Sequence, residues 1–340
     1  MSLIDIQNLS KHFKVLNRRE GLKGAFLDLF SGDYRIVKAV DDISFSIDPG
    51  EVVGYIGPNG AGKSTTIKMM TGILKPTGGN ILVNQVPPYT NRIKNAQQMG
   101  VVFGQRTQLW WDLPVIESFK VLKEIYKVDD QTFVGQMGLF EDLIGLKELH
   151  PIQVRTLSLG QRMLCDIAAA FMHNPKVVFL DEPTIGLDVS VKAKIRTVIE
   201  ELNQTRNITI ILTTHDLGDI EALCKRIIII DKGKIIFDGP IQRVNQLFGS
   251  YRILKVQLYD YSKDLLTRLQ NSVLEKFPGQ DAIQFATSEE FWTDITINQE
   301  KAPLREVLNF VMTEFSVEDI RVVEISMENI VQKIYEGAFL

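Results

Sequence analysis

Residues 57–64 read Gly57-Pro58-Asn59-Gly60-Ala61-Gly62-Lys63-Ser64, followed by Thr65. This is a complete G-x-x-x-x-G-K-[ST] phosphate-binding loop, and it dictates its own surroundings. The glycines let backbone wrap around a phosphate chain where side chains would clash. Loop N–H groups and the first turn of a following helix make an anion cradle. Lys63 adds a point charge at the outer phosphates, and the Ser64 hydroxyl suits a Mg2+ ligand. The motif works only between a strand and a helix. Here Glu51–Ile56 is a short apolar strand pattern and Ser64–Met70 starts an amphipathic helix. A phosphate-binding α/β fold is the expectation.

Apolar runs at Val177–Leu180 and Ile208–Leu212 have the continuous character of strands buried on both faces. They alternate with helical patterns, including 162–173, which implies a mostly parallel sheet covered by helices. Ligands of such sheets bind outside the carboxyl ends of the strands. Chemistry-bearing residues stand there. Asp181 and Glu182 follow the first run; Asp181 suits a direct or outer-sphere Mg2+ contact, and Glu182 suits a base that polarises an attacking water. His215 follows the second run and is expected at a terminal phosphate. Gln105 follows Val101–Phe103 and can hydrogen-bond the attacking water or join the metal's shell. Ser158, Gly160 and Gln161 precede a helix, a weak anion-site pattern by itself.

The 340 residues suffice for one large domain and a small one. A net charge of −4 gives no general attraction to nucleic acid. Cys165 and Cys224 lie in apolar helical patterns and read as buried, reduced thiols without metal-ligand spacing. No secretory leader is expected from the N-terminal sequence, and no apolar run approaches the length of a membrane span. Residues 3–7 and 36–48 alternate as strands do. Between them, 14–35 reads as a basic amphipathic insertion, a short helix resting on a membrane, on a partner or on its own domain. Lys232-Gly233 and Asp238-Gly239 read as hairpin turns. From about residue 250 the pattern becomes β-α-β-β-α-β, with a final helix at 328–335.

In this order, the motifs resemble the ATP-binding subunit of an ABC transporter over roughly residues 1–240. The carriers are the P-loop 57–65, Gln105, the signature segment 157–161, the acidic strand 177–182, Gly186-Leu187-Asp188 and His215. One departure from the family's L-S-G-G-Q is Leu159 in place of the first glycine. The resemblance implies a P-loop NTPase of ABC type, with a RecA-like core and a helical subdomain at about 106–160. Its expected bounds are 1–245, with a C-terminal α+β ferredoxin-like domain at 250–340.

The resemblance further implies ATP and Mg2+ as cofactors, with Ser64, Gln105 and Asp181 around the metal. Glu182, His215 and Gln105 would be catalytic. Ser158, Gly160, Gln161 and Asp188 would face a nucleotide held by a second cassette, in a homodimer or with a paralogous subunit. An aromatic residue stacks on adenine in this family; the spacing suggests Tyr34, with Phe13 as second choice. Integral-membrane permease subunits are the implied partners, on the cytoplasmic face of the membrane and without nucleic acid. Trp110 and Trp111 are candidate anchors for a permease helix, the alternative being packing within the helical subdomain. The insertion and the short C-terminal domain resemble exporters. An importer ATPase and a soluble ATPase switch uncoupled from transport are the alternatives.

Overall fold

The computed structural model describes residues 1–17, 32, 34–104, 106–244, 251–259, 262–279, 282–289 and 291–324. The chain divides into two compact units, Met1–Ile241 and Gln242–Leu340.

The first unit holds two sheets. One has three strands in the order β2-β1-β4, where β1 is Ile4–Leu16, β2 is Tyr34–Ile47 and β4 is Gly78–Val83. The other has six, ordered β5-β6-β7-β3-β8-β9. Its members are β3 (Val52–Ile56), β5 (Met99–Phe103), β6 (Val177–Asp181), β7 (Thr209–Thr213), β8 (Arg226–Asp231) and β9 (Lys234–Pro240). All pairings in this sheet are parallel except β8 with β9. The four central strands have almost no exposed residue, which is why their sequences read as unbroken Val/Ile/Leu runs rather than alternations. Side chains of β1, β2, β3 and β8 merge with Ile67, Met69 and Met70 into one core.

Helices follow the expected alternation. They are α1 (Lys63–Met70), α2 (Arg92–Ala96), α3 (Val115–Tyr126), α4 (Asp130–Ile144), α5 (Leu146–Leu149), α6 (Leu159–Phe171), α7 (Val189–Arg206) and α8 (Leu217–Leu223). Asp129 caps α4 by accepting from the Thr132 N–H at 2.9 Å, and Gly145 in the left-handed region ends it. That glycine separates α4 from α5.

Two expectations change. Residues 14–16 and 34–35 are strand, not insertion: Lys14, Val15 and Leu16 pair with Ile36, Arg35 and Tyr34. The alternation of β1 and β2 simply continues, so the hairpin is longer than its buried part; residues 18–31 and 33 lie outside the described residues. Asp238-Gly239 is no turn either. Both lie within β9, opposite Ile228 and Ile227, and the Asp238 carboxylate accepts from Arg226 at 2.7 and 2.8 Å. Lys232-Gly233 does make the β8–β9 turn, both residues having positive φ.

The second unit is a four-stranded antiparallel sheet ordered β11-β12-β10-β13. Its strands are β10 (Tyr251–Leu258), β11 (Ile283–Glu289), β12 (Trp292–Asn298) and β13 (Val317–Glu324), with α9 (Lys263–Lys276) and α10 (Leu304–Glu314) between them. This is the β-α-β-β-α-β succession of a split βαβ unit. Leu254, Val256, Ile295 and Ile297 pack against Leu269, Val273, Val307 and Val311 from the two helices. The helix expected at 328–335 lies outside the described residues.

Candidate active site

Strand β3 ends at Ile56, and the P-loop turns directly into α1. Gly62 has φ +114°, and a Cβ there would stand 2.5 Å from the Ala39 carbonyl oxygen, so only glycine fits. The loop is tied down from within. Ala61 N–H donates to Pro58 O at 3.1 Å, the Ala61 carbonyl accepts from Gly233, and the Thr66 hydroxyl donates to Gly62 O at 3.0 Å. Asn59 and Gly60 stay exposed, Thr65 is half-buried and Ser64 is exposed. Lys63 is buried, and its Nζ donates to Gly57 O at 2.6 Å and Pro58 O at 3.2 Å. Burial lowers its pKa, opposed by the charges of Glu182 and Asp181. Both acids are therefore close enough to feel that ammonium.

Parallel pairing aligns the strand ends: Asp181 sits opposite Phe103 on one side and Thr213 on the other. Thr213 Oγ1 donates to Asp181 Oδ1 at 2.6 Å, leaving Oδ2 to face Ser64 Oγ at 3.5 Å. Glu182 leaves the strand with φ +56°, its N–H donating to Thr213 O at 2.9 Å. A non-glycine residue held in this region stores strain, a recurrent property of active sites. Gly104 makes room for the turn, because a Cβ there would lie 2.2 Å from Glu182 O. His215 Nε2 stands 2.9 Å from Glu182 Oε1. Beside the pair, a cavity of about 210 Å³ is lined by Glu182, Ile185, Lys192, Thr214 and His215, among others.

Sequence reasoning missed what holds this pair. Asp219 on α8 is fully buried and takes Arg196 of α7 at 2.5 Å. It also accepts from Thr184 Oγ1 at 2.5 Å and Thr214 Oγ1 at 3.4 Å. Thr184 lies two residues after Glu182, and Thr214 immediately precedes His215, so one carboxylate fastens both turns. Asp216 caps α8 and pairs with Lys192 at 2.5 Å, which together with its other donors lowers its pKa. The hydroxyls were visible in the sequence; their common partner, 35 residues from Thr184, was not.

The signature segment is a capping box. Ser158 Oγ accepts from Gln161 N–H at 3.2 Å and Gln161 Oε1 accepts from Ser158 N–H at 3.0 Å, fixing both at the start of α6. Gly160 is buried against Val191, while Ser158 and Leu159 are exposed. Leu159 lies over Gly186, 3.5 Å from where a Cβ would stand. Asp188 caps α7, accepting from Ser190 Oγ at 2.7 Å and Val191 N–H at 3.0 Å; these bonds lower its pKa, the Val191 N–H most.

Gln105 lies outside the described residues, but the segment just after it is anchored to α6. Asp166 Oδ1 accepts from Thr107 Oγ1 at 2.8 Å and Gln108 N–H at 3.0 Å, and Gln108 Nε2 donates to Asp166 O at 2.8 Å. Burial pushes the Asp166 carboxyl up to about 6, against the pull of Gln108, Thr107 and Arg162. A lone aspartate in an apolar helix was the only sequence signal for this link. Trp111 is half exposed with the Arg162 guanidinium 5.5 Å from its ring centroid, and Trp110 is 38 % exposed. Neither is core.

Of the two aromatic candidates, Phe13 pairs with Val37, two residues from the Ala39 that abuts Gly62. Tyr34 pairs with Leu16, five residues from Ala39 along an extended strand, or about 17 Å at 3.3 Å per residue.

The family model "ABC transporter" matches residues 40–185. NatA, an ABC transporter ATP-binding protein of Bacillus subtilis, is 31 % identical over 63 % of this chain and 86 % of its own length. The linearmycin resistance ATP-binding protein LnrL of the same organism is 32 % identical over 74 % of this chain and 78 % of its own. The methionine import ATP-binding protein MetN 2 of Oceanobacillus iheyensis is 30 % identical over 79 % and 76 %. In fold, a cassette solved in a post-hydrolysis state bound to ADP and Pi superposes with a TM-score of 0.58, covering 70 % of this chain and 98 % of that one at 23 % identity. The chain belongs to the ATP-binding proteins of ABC transporters: it is a P-loop cassette that binds and hydrolyses ATP.

Proposed function

We propose that this subunit powers export of a substrate through separate integral-membrane permease subunits, from the cytoplasmic face of the membrane. The observation that carries the catalytic part is the Glu182–His215 pair at 2.9 Å, at adjacent strand ends. In this reading Gly57 to Thr65 hold the phosphates and Lys63 neutralises the outermost one. Glu182 polarises the attacking water and His215 contacts the terminal phosphate, with Gln105 completing the set. Ser64 and Asp181 suit Mg2+: a hydroxyl and a carboxylate oxygen face one another across 3.5 Å, and hard oxygen donors are what this ion takes. Held by these two residues, Mg2+ would supply positive charge to offset that of the phosphates. The β1–β2 register supports Phe13, rather than Tyr34, as the face on which adenine stacks.

Ser158, Gly160, Gln161 and Asp188 complete the nucleotide site of a second cassette, either another copy of this chain or a paralogue. ATP would thus join two cassettes and hydrolysis would release them. Exposed Trp110 and Trp111 suit a permease contact. The likeness to LnrL supports export, while the likeness to MetN 2 favours import as the second reading. Among the described residues no helix is long and apolar enough to cross a membrane.

A mild-detergent pull-down from native membranes with mass spectrometry tests the reading. A multi-span protein in the eluate supports it; an active ATPase recovered without any such protein overturns it in favour of an uncoupled switch. With the complex in inside-out vesicles, ATP-driven accumulation of substrate means export, and ATP-driven release means import.

A further inference from the structure

Helix α7 carries charged residues in a row along one face. Asp188 caps the helix by accepting from Val191 N–H at 3.0 Å, and Lys192 and Arg196 follow at intervals of four residues. At about 1.5 Å of rise per residue, each stands about 6 Å beyond the last. Side chains at this spacing are neighbours on the helix surface. Asp188 is read above as facing a second cassette. The two cations reach instead to the first turn of α8. Lys192 Nζ donates to Asp216 Oδ2 at 2.5 Å, and Arg196 Nη2 meets Asp219 Oδ1 at 2.5 Å. Gly218, between the two acids, permits this approach: a Cβ there would stand 3.1 Å from Asp216 Oδ1 and 3.6 Å from Arg196 Nη2.

The two rungs act differently at the catalytic end. Arg196 and Asp219 fasten the Thr184 and Thr214 hydroxyls. Lys192 grips the residue that directly follows His215. Asp216 Oδ1 accepts from Gly218 N–H at 3.0 Å, and Asp216 N–H donates to Thr214 Oγ1 at 2.9 Å. His215 therefore stands between two tethered residues, while its own ring is 46 % exposed and lies 2.9 Å from Glu182 Oε1. Lys192 also lines the cavity of about 210 Å³ beside that pair. The Lys192 and Asp216 side chains are only 25 % and 33 % exposed, so solvent screens their attraction less than that of a surface pair. A shift of α7 thus carries Asp216 with it, and changes the aim of the His215 ring.

We propose that Lys192 and Asp216 are positioning residues that relay the docking of a second cassette at Asp188 to His215 of the same chain, so that hydrolysis is fast only when two cassettes are joined. The inference rests on the reading of Asp188 as a residue that faces the second cassette. Lys192 touches no phosphate in this scheme; its effect passes through Asp216. Without it, nucleotide still binds at the P-loop, but His215 loses its alignment.

Specific ATPase activity of the full-length protein, followed against protein concentration, reads the relay; size exclusion in a Glu182→Gln background reads the joining of cassettes. Wild-type specific activity should rise with concentration. Lys192→Met keeps an unbranched side chain without its charge. It should bind a fluorescent ATP analogue as the wild type does and, combined with Glu182→Gln, still elute as a dimer with Mg2+ and ATP. Its kcat should fall about 10- to 100-fold, the effect of a small misplacement at a reacting centre, and its specific activity should stay flat with concentration. Lys192→Arg should recover the rise. Asp216→Asn keeps a residue able to cap α8 and should reproduce the Lys192→Met defect. The double substitution should lose no more than either single one, because both cut the same link. A Glu182→Gln dimer together with an undiminished rise in Lys192→Met or Asp216→Asn overturns the relay. Absence of that dimer overturns the reading of paired cassettes, and the relay with it.

Discussion

Asp166 offers the sharpest link between a local environment and a measurable curve. Its carboxyl is pushed from 3.8 to about 6, chiefly by burial. At about 1.36 kcal/mol per pH unit, that difference corresponds to about 3 kcal/mol. The folded state holds the proton more tightly than the unfolded chain. The stability tied to the proton is therefore complete below pH 3.8 and lost as pH rises through about 6. Asp166→Asn has no charge to bury and keeps an oxygen that accepts from Thr107 and Gln108. It should match the wild type near pH 4 and exceed it by up to about 3 kcal/mol above pH 7. Asp166→Ala instead strands both donors and should lose about 1–3 kcal/mol per group at every pH. Urea unfolding followed by tryptophan fluorescence reads this, in a Trp292→Phe background so that only Trp110 and Trp111 report, both in the first unit. Wild-type and Asn curves that stay parallel from pH 4 to 8 would refute the argument that burial dominates this site.

Other expectations follow from single contacts. Lys63→Ala removes a charge-assisted phosphate contact worth about 1.5–3 kcal/mol, so ATP affinity should fall roughly 10- to 100-fold by calorimetry; unchanged affinity would sink the P-loop assignment. Arg196→Ala leaves the Asp219 carboxylate buried without its cation, which should cost about 3–5 kcal/mol in chemical denaturation and slow turnover, since Thr184 and Thr214 share that carboxylate. Phe13→Ala should weaken ATP binding while Tyr34→Ala should not; the reverse pattern would return adenine to Tyr34.

Much of the core was legible because its signals are local. The P-loop needs a strand before it and a helix after it, and unbroken Val/Ile/Leu runs identify strands covered on both faces, as in β6 and β7. Boundaries failed where a local rule had two meanings. Asp238-Gly239 has hairpin chemistry, yet pairing with β8 and the Arg226 bridge hold it in a strand. Residues 14–16 and 34–35 were given to an insertion because their alternation carries few buried residues; it is the exposed end of a hairpin. The P-loop, Asp181, Glu182 and His215 were found from motif order, and each lies at a strand end or loop where that order leads. Asp166, Arg196 and Asp219 were missed because, Thr214 beside Asp219 apart, their partners Thr107, Thr184 and each other are 23 to 59 residues distant and no motif ties them. The proposed preference for Phe13 over Tyr34 depends on strand register, which spacing along one chain does not encode.

Glu182 is the proposed group that polarises water within an ATP-joined pair of cassettes. Glu182→Gln keeps the size of the side chain and its place beside His215 while removing the base. ATP hydrolysis should fall by about 10²- to 10⁴-fold, the usual worth of a general base. With Mg2+ and ATP the variant should elute from size exclusion as a dimer, and with ADP as a monomer. Turnover at the wild-type rate, with no ATP-dependent dimer, would contradict it.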